Sequence, residues 1–125
     1  MTQPTVAEIC IGAGGQAIGL ELAGFEHVYG IDIDRHAVAT VLVNRPGWNI
    51  QRGDVNEIDG RSLRGIDLLA GGIPCPPFSI AGKQLGHDDE RDLFPAYLRI
   101  LDLARPSAFL IENVPGFASS RFDSY

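Results

Sequence analysis

Five short apolar runs alternate with segments of helical character, and each run closes on glycine or a carboxylate. Residues 6–11 hold Glu8 inside an otherwise apolar run and lead into Gly12-Ala13-Gly14-Gly15. Residues 28–31 end at Asp32, and residues 48–51 at Gly53-Asp54. Residues 66–70 run into Gly71-Gly72-Ile73-Pro74-Cys75-Pro76-Pro77-Phe78-Ser79, and residues 108–111 close on Glu112. Strands alternating with helices predict a parallel, doubly wound α/β sheet. In such a sheet all strands point their carboxyl ends to one edge, where ligands bind. Glu8, Asp32, Asp54, Cys75 and Glu112 are therefore expected to gather around one cleft.

The intervening segments agree with this plan. Residues 16–23 read as a helix closed by Gly24 at C′. Asp34 is a suitable N-cap for a helix whose stripe is Ala37, Val38, Val41 and Leu42, stopped by Asn44 and Pro46. Residues 56–65 are polar and read as mixed turn and short helix. Residues 79–89 lack a period and contain Gly82 and Gly86, which predicts a long, mobile loop. Leu93, Phe94, Tyr97, Leu98 and Leu101 form the stripe of a further helix ending before Pro106, and residues 117–125 have no assignment. With no repeat or linker, residues 1–125 read as one domain. Hydrophobic content of 45% and charged content of 21% are ordinary for a soluble globular chain.

Several classes of function are disfavoured. No apolar run approaches the roughly 20 residues of a membrane span. Met1-Thr2-Gln3-Pro4 lacks the features of a signal peptide. The only cysteines, Cys10 and Cys75, suggest a reduced compartment, and the chain reads as cytoplasmic. A net charge of −6 argues against binding nucleic acid unaided, although Lys83 and Arg91 flank the acidic Asp88-Asp89-Glu90. His27, His36 and His87 lack metal-ligand spacing, so no metal is assigned.

Two constellations carry chemistry. Gly12-x-Gly14-Gly15, between a strand and a helix, lets a ligand approach the backbone at a helix N-terminus. It lacks the third glycine of the dinucleotide fingerprint. Asp32 is placed to accept from ribose hydroxyls, or else is a solvated strand-end carboxylate. Asp54 could accept from an adenine amino group; alone it reads as a turn residue. Together they suggest an adenosine-containing cofactor. In the second constellation, prolines hold Cys75 in a rigid loop, as a nucleophile or as a small buried thiol. A thiolate beside the Glu112 carboxylic acid suits attack on an electron-poor ring. Cys10 reads as a packing residue.

Pro74-Cys75-Pro76-Pro77-Phe78-Ser79, then Gly82-Lys83-Gln84, then Glu112-Asn113-Val114, closely resembles the DNA (cytosine-5)-methyltransferases. Gly12-Ala13-Gly14-Gly15, Asp32-Ile33-Asp34 and Gly53-Asp54-Val55 match that family's cofactor motifs in order, and the resemblance covers essentially the whole chain. It implies a Rossmann-like sheet, truncated after the fifth strand, that uses S-adenosylmethionine. Cys75 would add to carbon 6 of a flipped cytosine, Glu112 would contact ring N3 and the exocyclic amine, and Asn113 would brace the cysteine loop. The methyl group would then pass to carbon 5, and elimination would release the product. The cofactor would lie against Cys10, Gly12, Gly14, Gly15, Asp32, Ile33, Asp54, Val55, Gly72, Pro74 and Leu93. Ser79, Lys83, Gln84 and Arg91 would reach double-stranded DNA.

Two departures stand out. Cys10 occupies a place where the family usually has an aromatic residue stacking on adenine. The later arginine-containing motif, the target-recognition region and the final helix motif are absent. The resemblance therefore implies the N-terminal, catalytic and cofactor-binding part of a methyltransferase. It would need the missing motifs from elsewhere, for example from a second polypeptide, and is expected to self-associate without them. The alternative is a catalytically silent module that binds S-adenosylmethionine or regulates a partner.

Overall fold

The computed structural model describes residues 2–73 and 93–113. The chain forms β1 (Thr5–Ile9), α1 (Gly15–Leu22), β2 (Glu26–Asp32), α2 (Arg35–Asn44) and β3 (Ile50–Arg52). Two 3₁₀ turns, Val55–Glu57 and Gly60–Leu63, lead to β4 (Leu68–Gly72), and α3 (Phe94–Ala104) precedes β5 (Ala108–Glu112). The five strands make one sheet in the order β3-β2-β1-β4-β5. Every pairing is parallel. The doubly wound α/β expectation therefore holds. The chain steps outward from β1 to β2 and β3 on one side, then returns to place β4 and β5 on the other. The topological switch point lies between β1 and β4.

Alternate residues of the strands feed two layers. On one face Val6, Leu68 and Ala70 pack with Leu20 and Phe25, and Ile11, Ala17, Val38, Val41 and Ile50 continue this layer. On the other face Ala7, Ile9, Ile31 and Leu69 pack with Tyr97 and Ile100 of α3. The helix ends follow local chemistry. Gly24, at φ +100°, closes α1: Gly24 N donates to the Glu21 carbonyl and Phe25 N to the Leu20 carbonyl. The Asp34 carboxylate caps α2 by accepting from His36 N and Ala37 N. These two amides hold the Asp34 carboxyl below its ordinary range.

Four expectations are corrected. β1 ends at Ile9 rather than at residue 11, because Cys10 turns to φ +54° and Gly12 to φ +60°. Trp48 lies outside β3; it stacks on His27 with ring centroids 4.3 Å apart. β4 spans Leu68–Gly72 rather than residues 66–70, so Gly71 and Gly72 are part of the strand: a Cβ at Gly71 would stand 2.8 Å from the Tyr97 ring. The apolar face of α3 is centred on Phe94, Tyr97 and Ile100, while Leu98 points outward at 45% exposure.

β5 also departs from the buried strand its apolar run predicts. Phe109 is 59% exposed and Leu110 41% exposed, because among the described residues β5 is the edge strand and little packs on its two faces. Residues 79–89 and 117–125 lie outside the described residues. No helix among the described residues is long and apolar enough to cross a membrane.

Candidate functional site

All five carboxyl ends lie along one edge, and the residues singled out in the sequence line it where they are described. The glycine turn is built from both sides. Gly14, at φ +94°, is the N-cap of α1, and its carbonyl accepts from Ile18 N. Ile11 N reaches across to the Ile31 carbonyl of β2. Asp32, the last residue of β2, accepts from Gly12 N at 2.8 Å through one carboxylate oxygen and from Asp34 N at 2.9 Å through the other. Asp32 is thus a brace for the turn, and each oxygen retains a second acceptor position for a ligand. Ile33, next in the chain, is 67% exposed at the same edge.

The Asp54 carboxylate caps the first 3₁₀ turn, with Oδ1 accepting from the backbone N of Asn56 and from its side-chain Nδ2. Val55 is buried in the core beneath it. Leu93, immediately before α3, packs half-buried against the same cluster. The thiol of Cys10 is pushed up to about 12, first by burial and then by the negative charges of Asp32 and Asp54. A thiol kept protonated in this way is a poor nucleophile, which agrees with its reading as a packing residue.

A cavity of about 350 Å³ opens at the switch point between β1 and β4, lined by Glu8, Cys10, Ile11, Gln16, Gly72 and Glu112. Gly72 pairs with Glu112 across the β4–β5 ladder, and a Cβ at Gly72 would stand 3.5 Å from Glu112 Oε2. The Glu112 carboxylate is therefore folded back over the glycine, within the cavity. Gln16 completes the wall from the first turn of α1; its Oε1 is buried and has no hydrogen-bond partner among the described residues. The lining is rich in acceptors and negative charge, and it suits a ligand end that carries N–H donors and positive charge. A second cavity of similar size, between Thr5, Tyr29, Asn49 and Arg64, opens at the opposite edge of the sheet.

Glu8 is expected at this cleft from its strand, though without a role, and Gln16 is not singled out in the sequence at all. Glu8 is 1% exposed, with its Oε1 3.2 Å from His27 Nε2, so the cavity floor rests on a buried carboxylate–imidazole pair. The signal was a lone glutamate in an apolar central strand, which demands a buried partner. Gln16 gave no such signal. Pro74, Cys75, Ser79, Lys83, Gln84 and Arg91 lie outside the described residues, so the expected approach of Cys75 to Glu112 falls there as well. Asn113 follows β5 directly.

Comparison with known proteins places this edge in context. The profile of the family described as C-5 cytosine-specific DNA methylase matches residues 5–124. The type II methyltransferase M.NgoMIV of Neisseria gonorrhoeae is 56% identical over 98% of this chain, which spans 39% of that protein. The type II methyltransferase M.NaeI of Lentzea aerocolonigenes is 49% identical over 96% of the chain, which spans 30% of it. Among solved structures, a prophage-encoded DNA modification methyltransferase of E. coli superposes with a TM-score of 0.80 at 28% identity. That alignment covers 97% of this chain and 35% of the other. The chain thus spans well under half the length of these relatives.

Proposed function

The chain belongs to the C-5 cytosine-specific DNA methylase family, and on that premise we propose that it is the cofactor-binding and catalytic portion of a DNA (cytosine-5)-methyltransferase. The cofactor is S-adenosylmethionine, which supplies an electrophilic methyl group when bound. The observation that carries this reading is the cavity at the β1/β4 switch point, lined by Glu8, Glu112 and Gln16, whose Oε1 has no hydrogen-bond partner among the described residues. An ammonium and a sulfonium, both present in this cofactor, suit such a lining. The glycine turn lets the ligand approach the backbone, Asp32 accepts from the ribose, and Asp54, with Ile33, Val55 and Leu93 nearby, receives the adenine.

Glu112 shares the cavity with Gly72, at the end of the edge strand. From there it would hold the cytosine ring at N3 and the exocyclic amine, favouring addition of the Cys75 thiolate to carbon 6. That addition moves the electron pair of the carbon 5–carbon 6 double bond onto carbon 5, shared through carbon 4 with N3, making carbon 5 nucleophilic. Carbon 5 would then take the methyl group, leaving S-adenosylhomocysteine, and loss of the carbon 5 proton to a solvent-borne base would expel Cys75 as thiolate and restore the double bond. The target must be flipped, because carbon 6 is inaccessible in a stacked duplex. Asn113 braces the cysteine loop, and Ser79, Lys83, Gln84 and Arg91 contact DNA. The rest of the length that relatives possess supplies target recognition, on the same polypeptide or another.

The test supplies that remaining length together with S-adenosylmethionine and offers duplex DNA with 5-fluorocytosine at the target, where fluorine blocks the elimination that follows methyl transfer. A covalent complex is expected with the wild type and not with Cys75→Ser, which should still bind S-adenosylhomocysteine. A complex that persists in Cys75→Ser would assign the nucleophile elsewhere.

A further inference from the structure

The 3₁₀ turn that follows Asp54 packs on the same face of the sheet as α3 and is held by one side chain of that helix. Arg99 donates to three carbonyl oxygens of that turn: Nη1 to Ile58 at 2.7 Å, and Nη2 to Val55 at 3.3 Å and to Asn56 at 3.1 Å. The Ile58 and Asn56 carbonyls accept no backbone N–H within the turn, the Val55 carbonyl also accepts from Ile58 N, and a fixed guanidinium fork reaches all three at once. The Asn56 whose carbonyl is gripped also supplies both N–H groups that orient Asp54 Oδ1. The contact chain therefore runs from Arg99 through Asn56 to the Asp54 carboxylate, whose Oδ2 has no partner among the described residues.

The surrounding packing does not depend on Arg99. Gly60 lies so close to α3 that an added Cβ would stand 2.9 Å from the Ile100 carbonyl oxygen. Arg64 Nε donates to the Leu103 carbonyl at 3.0 Å. The second 3₁₀ turn is thus docked on α3 independently, and Arg99 acts on the first turn alone.

We propose that Arg99 is the positioning residue for Asp54, setting how well the site discriminates a purine with a 6-amino group from one with a 6-oxo group. This rests on the reading above that Asp54 accepts from the adenine amine. A 6-oxo purine presents an acceptor to the carboxylate, so a correctly aimed Asp54 rejects it and a loosened Asp54 does not.

The experiment measures binding of S-adenosylhomocysteine and S-inosylhomocysteine by calorimetry to the wild type, Arg99→Lys, Arg99→Ala and Asp54→Ala. Thermal melts confirm that each variant is folded, and Arg99→Lys, which keeps the charge but not the fork, serves if Arg99→Ala does not fold. The wild type should prefer the amino ligand by about tenfold or more. Both Arg99 variants should bring that ratio to within about threefold, as should Asp54→Ala. Combining Arg99→Ala with Asp54→Ala should change the ratio no further. Equal losses for both ligands, with the ratio intact, would show Arg99 to be merely structural and overturn the proposal. If the wild type binds neither ligand, the cofactor reading itself fails and takes this inference with it. If it binds both equally, the role of Asp54 fails and the inference with it.

Discussion

The Asp32 carboxylate accepts the Gly12 amide at 2.8 Å, joining the end of β2 to the glycine turn after β1. A residue expected to hold a ligand thus also holds the backbone that frames the ligand. Removing it should lower stability and cofactor affinity together. Asp32→Ala loses two carboxylate–amide bonds and should cost about 1–3 kcal/mol of stability, with a loss of about tenfold or more in S-adenosylhomocysteine affinity. Asp32→Asn retains an acceptor for Gly12 and should recover most of the stability but less of the affinity. Urea melts and calorimetry on both variants check this; unchanged affinity in Asp32→Ala removes Asp32 from the site.

The Glu8–His27 pair makes a second expectation. Both side chains are essentially inaccessible, and His27 is also stacked on Trp48. Removing one member of a buried hydrogen-bonded pair leaves the other unsatisfied, so Glu8→Ala should destabilise by about 1–3 kcal/mol. Replacing both with apolar residues of similar volume, Glu8→Leu with His27→Phe, should cost far less than the sum of the single changes. A double-mutant cycle by chemical denaturation measures the coupling, and additive losses would mean the two do not interact.

How much of this was legible beforehand can be traced residue by residue. Asp34 as a cap, Gly24 as a helix stop and the carboxylates at strand ends are local signals, since each depends on a few neighbours in sequence. The polar edge followed from period alone, because parallel strands must align their carboxyl ends. The misreadings are all tertiary. Gly71 looked like the residue after the strand because nothing local reveals that the Tyr97 ring, many residues later, occupies the space of its missing Cβ. Residues 108–111 looked buried because an apolar run does not say whether neighbours exist on both sides. Arg99 looked like any surface arginine on a helix; its three acceptors lie more than forty positions earlier.

Cys10 predicts a specific response to alkali. Its thiol, ordinarily near 9.0, is raised to about 12 in the folded chain. Between those values the unfolded chain has released the proton and the folded chain retains it, so stability falls as pH rises. Tyr97, whose hydroxyl is likewise raised by burial, adds to the fall. Cys10→Ala should flatten the decline without abolishing it. Urea midpoints at about pH 8 and about pH 10.5 for the two proteins give the comparison; parallel declines would exonerate Cys10.

The Tyr97 hydroxyl donates to the Leu69 carbonyl of β4 at 2.9 Å and lies 3.4 Å from the Leu110 carbonyl of β5. Tyr97→Phe preserves the ring against Gly71 and deletes these contacts, which should cost about 1 kcal/mol. Because β5 has a neighbour on one side only among the described residues, the loss should be local. Amide exchange in residues 108–112 should accelerate more than in β1 or β2. Uniform acceleration across the sheet would show that the hydroxyl stabilises the whole fold rather than the edge.

The last expectation concerns that edge. β5 pairs with β4 on one side, and Phe109 and Leu110 are exposed on its opposite faces. The strand has no proline, lysine or bulge of the kind that guards natural edges. An apolar edge of this kind recruits another strand, and the further length of its relatives is a natural source. The chain by itself should therefore self-associate with rising concentration, as sedimentation velocity would report. Leu110→Lys should favour the monomer while leaving the fold intact, since that side chain is already in contact with solvent. With a net charge of −6, the chain alone should also fail to methylate DNA, because phosphate neutralisation requires cations it does not have in excess. Supplying the remaining family length as a second polypeptide should restore methyl transfer and suppress self-association together. A purified monomer that methylates DNA unaided would sink both expectations at once.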